Sequence, residues 1–320
     1  MTPQSLMKRR VNTSFLMMLL TLAVQSVVSI PIVVFTVLSM LGIEVSSYYT
    51  EFVLVQLLYP LGTCVLALFV LRLISIPRSS VVTIKPLRWD FIPWLGLFLG
   101  VTVVMNYTVT FLMELLEWIG ISIPDAFSSY DPQTLPQAIC YFVVLAILPP
   151  VCEEILCRAS VAGVLKHLHP WTAVLLSSYA FAMMHATVQQ IPFAFVLGVV
   201  LGFVYVKTGN LLYPILLHFA NNAVACLMTY LSVWGEEWVT NAVGYGADLL
   251  FLLFGVASAI WLIVKKRFTL KEIPHSLSVA DSARAVVKAP CFWIFSGVYA
   301  GLTLSNSALL LLQESQGIPL

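Results

Sequence analysis

Apolar residues occur in long, nearly continuous stretches along this chain, and these stretches predict transmembrane helices. A helix needs about 20 predominantly apolar residues to cross the hydrocarbon core of a bilayer. Nine segments fit or approach this length, and the fifth and sixth are short. The predicted spans are 14–41, 52–76, 91–116, 135–164, 171–186, 191–206, 211–231, 247–264 and 291–312. The expected fold class is therefore all-α, a polytopic membrane protein of about nine transmembrane helices.

The first stretch is preceded by Lys8, Arg9 and Arg10, as the apolar core of a secretory signal peptide would be. Its apolar run nevertheless continues to Leu41, well past the length of a signal-peptide core. We therefore expect an uncleaved membrane anchor at this position.

Composition also points to lipid as the surroundings of most of the chain. Of the 320 residues, 60% are hydrophobic and only 10% are charged, and the mean hydropathy is +0.96. This leaves too little polar surface for a water-soluble protein of this size. The net charge of +1 excludes the basic surface of a nucleic-acid-binding protein. We expect an integral membrane protein that contacts the lipid bilayer and no nucleic acid.

The distribution of basic residues predicts the orientation of the spans, because Lys and Arg favour cytoplasmic loops. With the N-terminus in the cytoplasm, the cytoplasmic connections hold fifteen of the sixteen basic residues and the opposite loops hold none. We therefore predict a cytoplasmic N-terminus and an outer C-terminus. The chain then divides into a three-helix region (1–134), core helices (135–232) and a two-helix region (233–320) with a cytoplasmic loop at 265–290.

The fourth predicted span contains three charged residues, Glu153, Glu154 and Arg158. Each charge near the centre of a bilayer costs roughly 2.5–3.5 kcal/mol on insertion scales, so ordinary helix packing would not retain them. Glu154 and Arg158 stand four residues apart with the acid first, the favourable order for an ion pair on a helix. Glu153 points about 100° away around the helix and has no charged partner at this spacing.

Further polar residues occur in later spans. His185 follows Phe181 by four residues, and Asn222 follows His218 by four, next to Asn221. Taken alone, each is best interpreted structurally: a histidine as an interhelical hydrogen-bonding group, the Glu154–Arg158 pair as an ion pair, and Phe181 as core. Their predicted depths in the membrane are similar, however, and the set as a whole favours one functional cluster.

A carboxylate, two imidazoles and an amide are the groups needed to activate water against a carbonyl. A partly desolvated glutamate can act as a general base, a histidine can share this task, and a second histidine with an asparagine can donate hydrogen bonds to the oxyanion. Alternatively, Glu153, His185 and His218 could be three ligands of a catalytic zinc ion. The chain has no HExxH helix and no GxSxG motif.

Three motifs lie in order on the predicted core helices: Glu153-Glu154-x-x-x-Arg158, Phe181-x-x-x-His185 and His218-x-x-x-Asn222. They resemble the EExxxR, FxxxH and HxxxN signature of the CPBP family, the CAAX-protease and bacteriocin-processing membrane proteins, which include the type II CAAX prenyl endopeptidases. The motif region runs from Pro136 to Cys226.

The resemblance implies an intramembrane endopeptidase whose cavity opens to the cytosol. It assigns water activation to Glu153 and His185, and oxyanion stabilisation to His218 and Asn222. Members of the family have been described as glutamate-dependent and as metal-dependent, so we expect no cofactor, with zinc as the alternative.

The chain departs from many relatives at two positions. Cys157 replaces an aromatic residue before the motif arginine, and Ala159 replaces the following glycine. These differences affect packing around the expected ion pair of Glu154 with Arg158, and therefore substrate fit more than the reacting groups.

The expected substrate is a peptide or a membrane-anchored protein, and the expected location is a bacterial plasma membrane. Two other functions are compatible with the same residues. One is a non-catalytic immunity or scaffold protein, and the other is a proton-coupled transporter, because intramembrane Glu and His also relay protons.

Overall fold

The structure is a computed structural model that describes residues 2–28, 30, 54–73, 76–121, 123, 131–166, 168–271 and 277–315. All regular secondary structure in these ranges is helical. In chain order the helices are α1 (Pro3–Val28), α2 (Leu54–Leu73), α3 (Arg78–Val81), α4 (Phe91–Trp118), α5 (Leu135–Leu165), α6 (Pro170–Met183), α7 (Gln190–Thr208), α8 (Leu212–Trp234), α9 (Glu237–Val264), α10 (Val279–Val287) and α11 (Pro290–Ser315).

Every predicted span overlaps one of these helices, so the all-α, polytopic fold is confirmed. Among the described residues, six helices are long and apolar enough to cross a membrane, and α10 with α11, bent by 66°, form a seventh candidate. Helix α6 has only 14 residues, and the apolar part of α2 is also short. The count of nine spans and the orientation of the N-terminus stay predictions. Residues 31–41, the end of the first predicted span, lie outside the described ranges.

Two helices begin well before the apolar spans predicted for them. Helix α1 begins at Pro3 rather than at residue 14, and its first turns include the basic residues of the N-terminus. There Arg10 donates a hydrogen bond to the carbonyl oxygen of Val164 at 2.8 Å. Helix α9 begins at Glu237 rather than at residue 247. Hydropathy detects the lipid-facing centre of a helix, whereas polar first turns continue the same backbone hydrogen bonding outside it.

Helices α5, α6 and α7 form the centre of the molecule. A large hydrophobic cluster joins them to α1, α2, α10 and α11, and a second cluster joins α6 and α7 to α4, α8 and α9. The central helices are therefore covered on both sides, and their polar residues are shielded from lipid. The division of the chain into three regions stays a prediction.

Small residues allow α4 and α9 to pack closely. Gly96 and Gly100 on α4 face Gly255 and Ser258 on α9. A Cβ atom added to Gly100 would lie 2.7 Å from the Cα atom of Gly255. Such small-residue contacts let helix backbones approach each other in membranes.

We expect the substitution Gly100→Ala to lower the free energy of unfolding by about 1–3 kcal/mol, because the new methyl group overlaps the backbone of α9. Unfolding in detergent, followed by tryptophan fluorescence, measures the effect. Gly246→Ala on α9 is the control, since a Cβ atom there meets nothing within 4 Å. Equal stability of the two variants would contradict the close packing of α4 on α9.

Basic residues from four of the predicted cytoplasmic connections meet at one end of the helix bundle. They line a single cavity between the start of α4, the end of α5, the end of α7 and the segment after α9: Lys85, Arg88, Lys166, Lys207, Arg267 and Lys271. This grouping agrees with the alternation of charge along the sequence, because the alternation requires these connections to lie on the same side of the membrane. We refer to this end of the helix bundle as the basic end.

Candidate active site

Helix α5 carries the acidic motif in a short α-helical stretch between two π-helical segments. The stretch Leu148–Glu154 follows Phe142–Ile147 and precedes Ile155–Ala162, both of which are π-helical. Such segments are rare and often occur at functional sites. Pro149 and Pro150 have no backbone N–H, so the carbonyl oxygen of Leu145 lacks its usual helical donors at both the α and the π spacing.

Asn222 on α8 supplies the missing donor. Its Nδ2 donates to the carbonyl oxygen of Leu145 at 2.8 Å, and its Oδ1 accepts from Asn221 Nδ2 at 3.0 Å. The amide of Asn222 is therefore held in a defined orientation, and one of its two N–H bonds is left for another acceptor.

Glu154 is fully buried and contacts two basic side chains. Its Oε2 lies 2.9 Å from Nε of Arg158, which is also fully buried, although this Nε–H is not directed for a hydrogen bond. Its Oε1 lies 3.1 Å from Nδ1 of His218. The predicted contact between Glu154 and Arg158 is present. The contact with His218 was not predicted, because it joins α5 to α8.

Arg158 makes its other contacts with α6 and α7. Its Nη2 donates to the carbonyl oxygen of Gly198 at 3.3 Å, and its guanidinium carbon lies 4.5 Å from the centre of the Phe181 ring. The Phe181 ring also meets His185 and His218 edge to face, at centroid distances of 5.0 and 5.5 Å. Phe181 is buried in the core, as expected, and its ring contacts both imidazoles and the buried arginine.

His185 lies in the turn after α6, because this helix ends at Met183 and not at residue 186 as predicted. The backbone N–H of His185 donates to the carbonyl of Ala182 in a tighter turn, which frees the carbonyl of Phe181. His185 Nδ1 lies 2.7 Å from that carbonyl oxygen. Since a carbonyl can only accept, Nδ1 carries a proton, and in the neutral ring Nε2 has a free lone pair.

The four predicted catalytic residues line one cavity of about 350 Å³. They are Glu153, His185, His218 and Asn222. Glu154 and Arg158 are buried behind this wall and do not line it. Glu153 is half-buried, and it makes no hydrogen bond or ion pair within the described part of the chain. The structure therefore brings together residues that are up to 69 positions apart in the sequence.

Other residues of the cavity were not given a catalytic role from the sequence. Asn221, Tyr141 and Gln190 contribute polar groups, and Phe98 closes the cavity from α4. None of these residues belongs to a motif of charged residues with helical spacing. Asn221 and Tyr141 could have been identified as polar side chains inside apolar spans. Gln190 lies at the start of α7, where a polar residue is not unusual.

The cavity extends away from the basic end. His218 lies about 10 Å along α8 from that end, whereas Gln190 begins α7 at the opposite end. A cytoplasmic N-terminus and a cavity open to the cytosol both stay predictions.

The alternative zinc site requires Glu153, His185 and His218 to converge on one point. All three residues are described, and no group of three or more His, Cys, Asp or Glu side chains in the described ranges is spaced to hold a metal ion. Nδ1 of His218 is engaged with Glu154, which leaves only Nε2 for a ligand. As arranged here, these three side chains do not fit a zinc ion.

Fold and site together define a polytopic helical membrane protein with carboxylate, imidazole and amide groups around a cavity within its spans. The family model for type II CAAX prenyl endopeptidase Rce1-like proteins matches residues 135–224, which contain all three motifs. The match covers 90 of the 320 residues and agrees with the family predicted from the motifs. Comparison with curated proteins and with solved structures finds no match.

Proposed function

We propose that this protein is an intramembrane endopeptidase that cleaves a peptide or membrane-associated protein with a water molecule activated by Glu153 and His185. The observation that carries the proposal is the arrangement of one cavity. In it, a carboxylate that has no ion-pair partner among the described residues faces the same space as two imidazoles and an amide. The family match over 135–224 supports proteolysis as the reaction class.

Glu153 would act as the general base. Its carboxylate takes a proton from water as the water oxygen attacks the carbonyl carbon of the scissile bond, and it then returns this proton to the leaving amine nitrogen. His185 would accept the second hydrogen of the same water through Nε2, because its Nδ1–H is engaged by Phe181. Glu153 and His185 line the same cavity.

His218 and Asn222 would stabilise the oxyanion of the tetrahedral intermediate. His218 can donate from Nε2 while Nδ1–H contacts Glu154 only if its ring carries both protons, and the Glu154 carboxylate then supplies the countercharge. Asn222 retains one N–H beside its bond to Leu145. Glu154 is thus a positioning residue, which acts on the reaction through His218.

The cavity walls suit a segment with apolar side chains. Phe98, Phe193, Leu197 and Leu201 line the same space as the polar groups. A largely apolar lining with a few convergent polar groups is typical of binding sites for small ligands and peptides. We propose a membrane-associated substrate in a bacterial plasma membrane, which would reach this cavity within the bilayer.

We expect His185→Asn to lower turnover by about 100- to 10,000-fold while the protein stays folded. The asparagine amide can still donate to the Phe181 carbonyl, but it has no lone pair on nitrogen to accept a proton. Purified protein in nanodiscs is incubated with farnesylated and unmodified CAAX peptides, and the products are identified by mass spectrometry.

The matched control is His169→Asn. His169 caps the start of α6 by accepting from Thr172 N at 3.1 Å, a role that asparagine also fills. Full activity of the His185→Asn protein would contradict the proposed mechanism. Wild-type protein that cleaves no peptide but supports uptake driven by a pH gradient would favour the transporter alternative.

We expect turnover to survive removal of metal ions, because Glu153, His185 and His218 are not spaced as a ligand set. The protein is dialysed against 1,10-phenanthroline and assayed with the same peptides, beside an aliquot resupplied with zinc. Loss of activity that zinc restores would contradict this expectation and favour the metal-dependent alternative.

A further inference from the structure

A second cavity, separate from the polar site, lies at the basic end of the bundle. Its volume is about 550 Å³. Trp94, Pro170 and Leu270 form apolar parts of its wall, and Trp94 is almost fully buried against the rings of Phe203 and Phe268. None of these residues lines the polar cavity that contains Glu153.

Six basic side chains line this cavity: Lys85, Arg88, Lys166, Lys207, Arg267 and Lys271. Asp90 is the single acidic residue of its described wall, and its Oδ1 accepts a hydrogen bond from the hydroxyl of Tyr213 at 2.7 Å. None of the six basic groups lies within 4 Å of a carboxylate in the described part of the chain. The cavity therefore has a strong positive charge that these residues do not neutralise.

In the described structure, two of the lysines make their close contacts with neutral groups. Lys166 Nζ lies 4.9 Å from the centre of the Tyr205 ring and 3.4 Å from the carbonyl oxygen of Ser80. Lys207 Nζ donates to the carbonyl oxygen of Thr269 at 2.6 Å. Burial, and next to it the charge of Lys85, lower the pKa of Lys166. The positive charges of Lys85 and Lys166 repel each other, and an anion bound in the cavity would offset this repulsion.

The wall that carries Lys85 and Arg88 is fixed to the turn between α7 and α8. The buried side chain of Asn210 accepts from the backbone N–H of Lys85 at 3.0 Å and donates to its carbonyl oxygen at 3.0 Å. The hydroxyl of Tyr213 accepts from the backbone N–H of Arg88 at 3.2 Å. These hydrogen bonds therefore fix the backbone that carries the side chains of Lys85 and Arg88.

We propose that this cavity binds a phosphate group, carried either by the head group of an anionic membrane lipid or by a soluble phosphate ester. Lysine and arginine together are the usual ligands of phosphate oxygens, with arginine able to bind two oxygens at once. Basic pockets between transmembrane helices bind anionic lipid head groups. The apolar wall around Trp94 would lie beside the lipid backbone or the carbon part of an ester.

The test uses the full-length protein in a zwitterionic detergent, titrated with dioleoylphosphatidylglycerol or dioleoylphosphatidylcholine, with bound lipid counted by native mass spectrometry. The cavity variant combines Lys85→Gln, Arg88→Gln and Lys271→Gln, all at exposed positions. The control variant removes the same charge outside the cavity through Lys8→Gln, Lys265→Gln and Lys288→Gln. Thermal unfolding with glycerol 3-phosphate tests the soluble source, because a ligand of the folded state raises the unfolding temperature.

We expect phosphatidylglycerol to bind in preference to phosphatidylcholine, and about tenfold more weakly to the cavity variant than to wild type or control. Glycerol 3-phosphate that stabilises the wild type and displaces the lipid would assign the site to soluble phosphate esters. Equal losses in the cavity and control variants would overturn the proposal. The proposal would also be overturned if the wild type bound both lipids equally and glycerol 3-phosphate did not change its unfolding temperature.

Discussion

Replacement of Glu153 by glutamine is expected to reduce peptide hydrolysis by about 1,000-fold or more, with no change in the fold. The amide keeps the shape of the side chain but cannot take a proton from water. Because Glu153 has no ion-pair partner among the described residues, its replacement leaves no buried countercharge behind. Single-turnover cleavage of a CAAX-type peptide in nanodiscs measures the change.

Glu117→Gln is the control for this substitution, since Glu117 is an exposed acid at the end of α4. It removes the same charge and should leave both turnover and unfolding at wild-type values. Hydrolysis by Glu153→Gln at the wild-type rate would remove the general-base mechanism. If the same protein still protected cells from a bacteriocin, the non-catalytic immunity function would be favoured.

Replacement of Arg158 by methionine is expected to lower the free energy of unfolding by about 3–5 kcal/mol. Glu154 would remain fully buried with His218 as its single basic neighbour in the described structure. The contact of the guanidinium with the Phe181 ring would also be lost. Denaturant unfolding in detergent micelles, followed by tryptophan fluorescence, measures the change.

Two comparisons separate loss of the buried pair from a general effect of the substitution. Arg284→Met breaks an exposed contact of 3.6 Å with Asp281 and should cost about 0–1 kcal/mol. The double substitution Glu154→Gln with Arg158→Met should be more stable than Arg158→Met alone, because the uncompensated carboxylate is gone. A single Arg158→Met protein as stable as Arg284→Met would contradict the importance of the buried pair.

Much of the site could be predicted because its motifs are local. Helical spacing alone places Glu154 beside Arg158, and the structure has the two side chains 2.9 Å apart. A charge within the hydrocarbon core is energetically costly, and helix packing alone would not retain it. The sequence therefore indicated a function for Glu153. The same reasoning identified the polar residues of α8, because an apolar span makes each of them conspicuous.

The contacts between helices could not be predicted from spacing. Glu154 was expected to pair with Arg158 alone, yet its second oxygen contacts His218 from α8. The end of α6 was expected at residue 186, but the imidazole of His185 takes the carbonyl of Phe181 and the helix ends at Met183. Both outcomes depend on which acceptor a side chain contacts in the folded protein, and residue spacing does not specify this.

The sequence by itself determined the membrane environment, the helical fold and the identity of the polar residues, because hydropathy and charge cost act on each segment separately. Only the tertiary structure decided which of these residues share a cavity, which imidazole nitrogen is free, and that six basic side chains meet at one end of the bundle. These features depend on how helices far apart in the chain pack against each other, and the periodicity of a single helix contains no information about its neighbours.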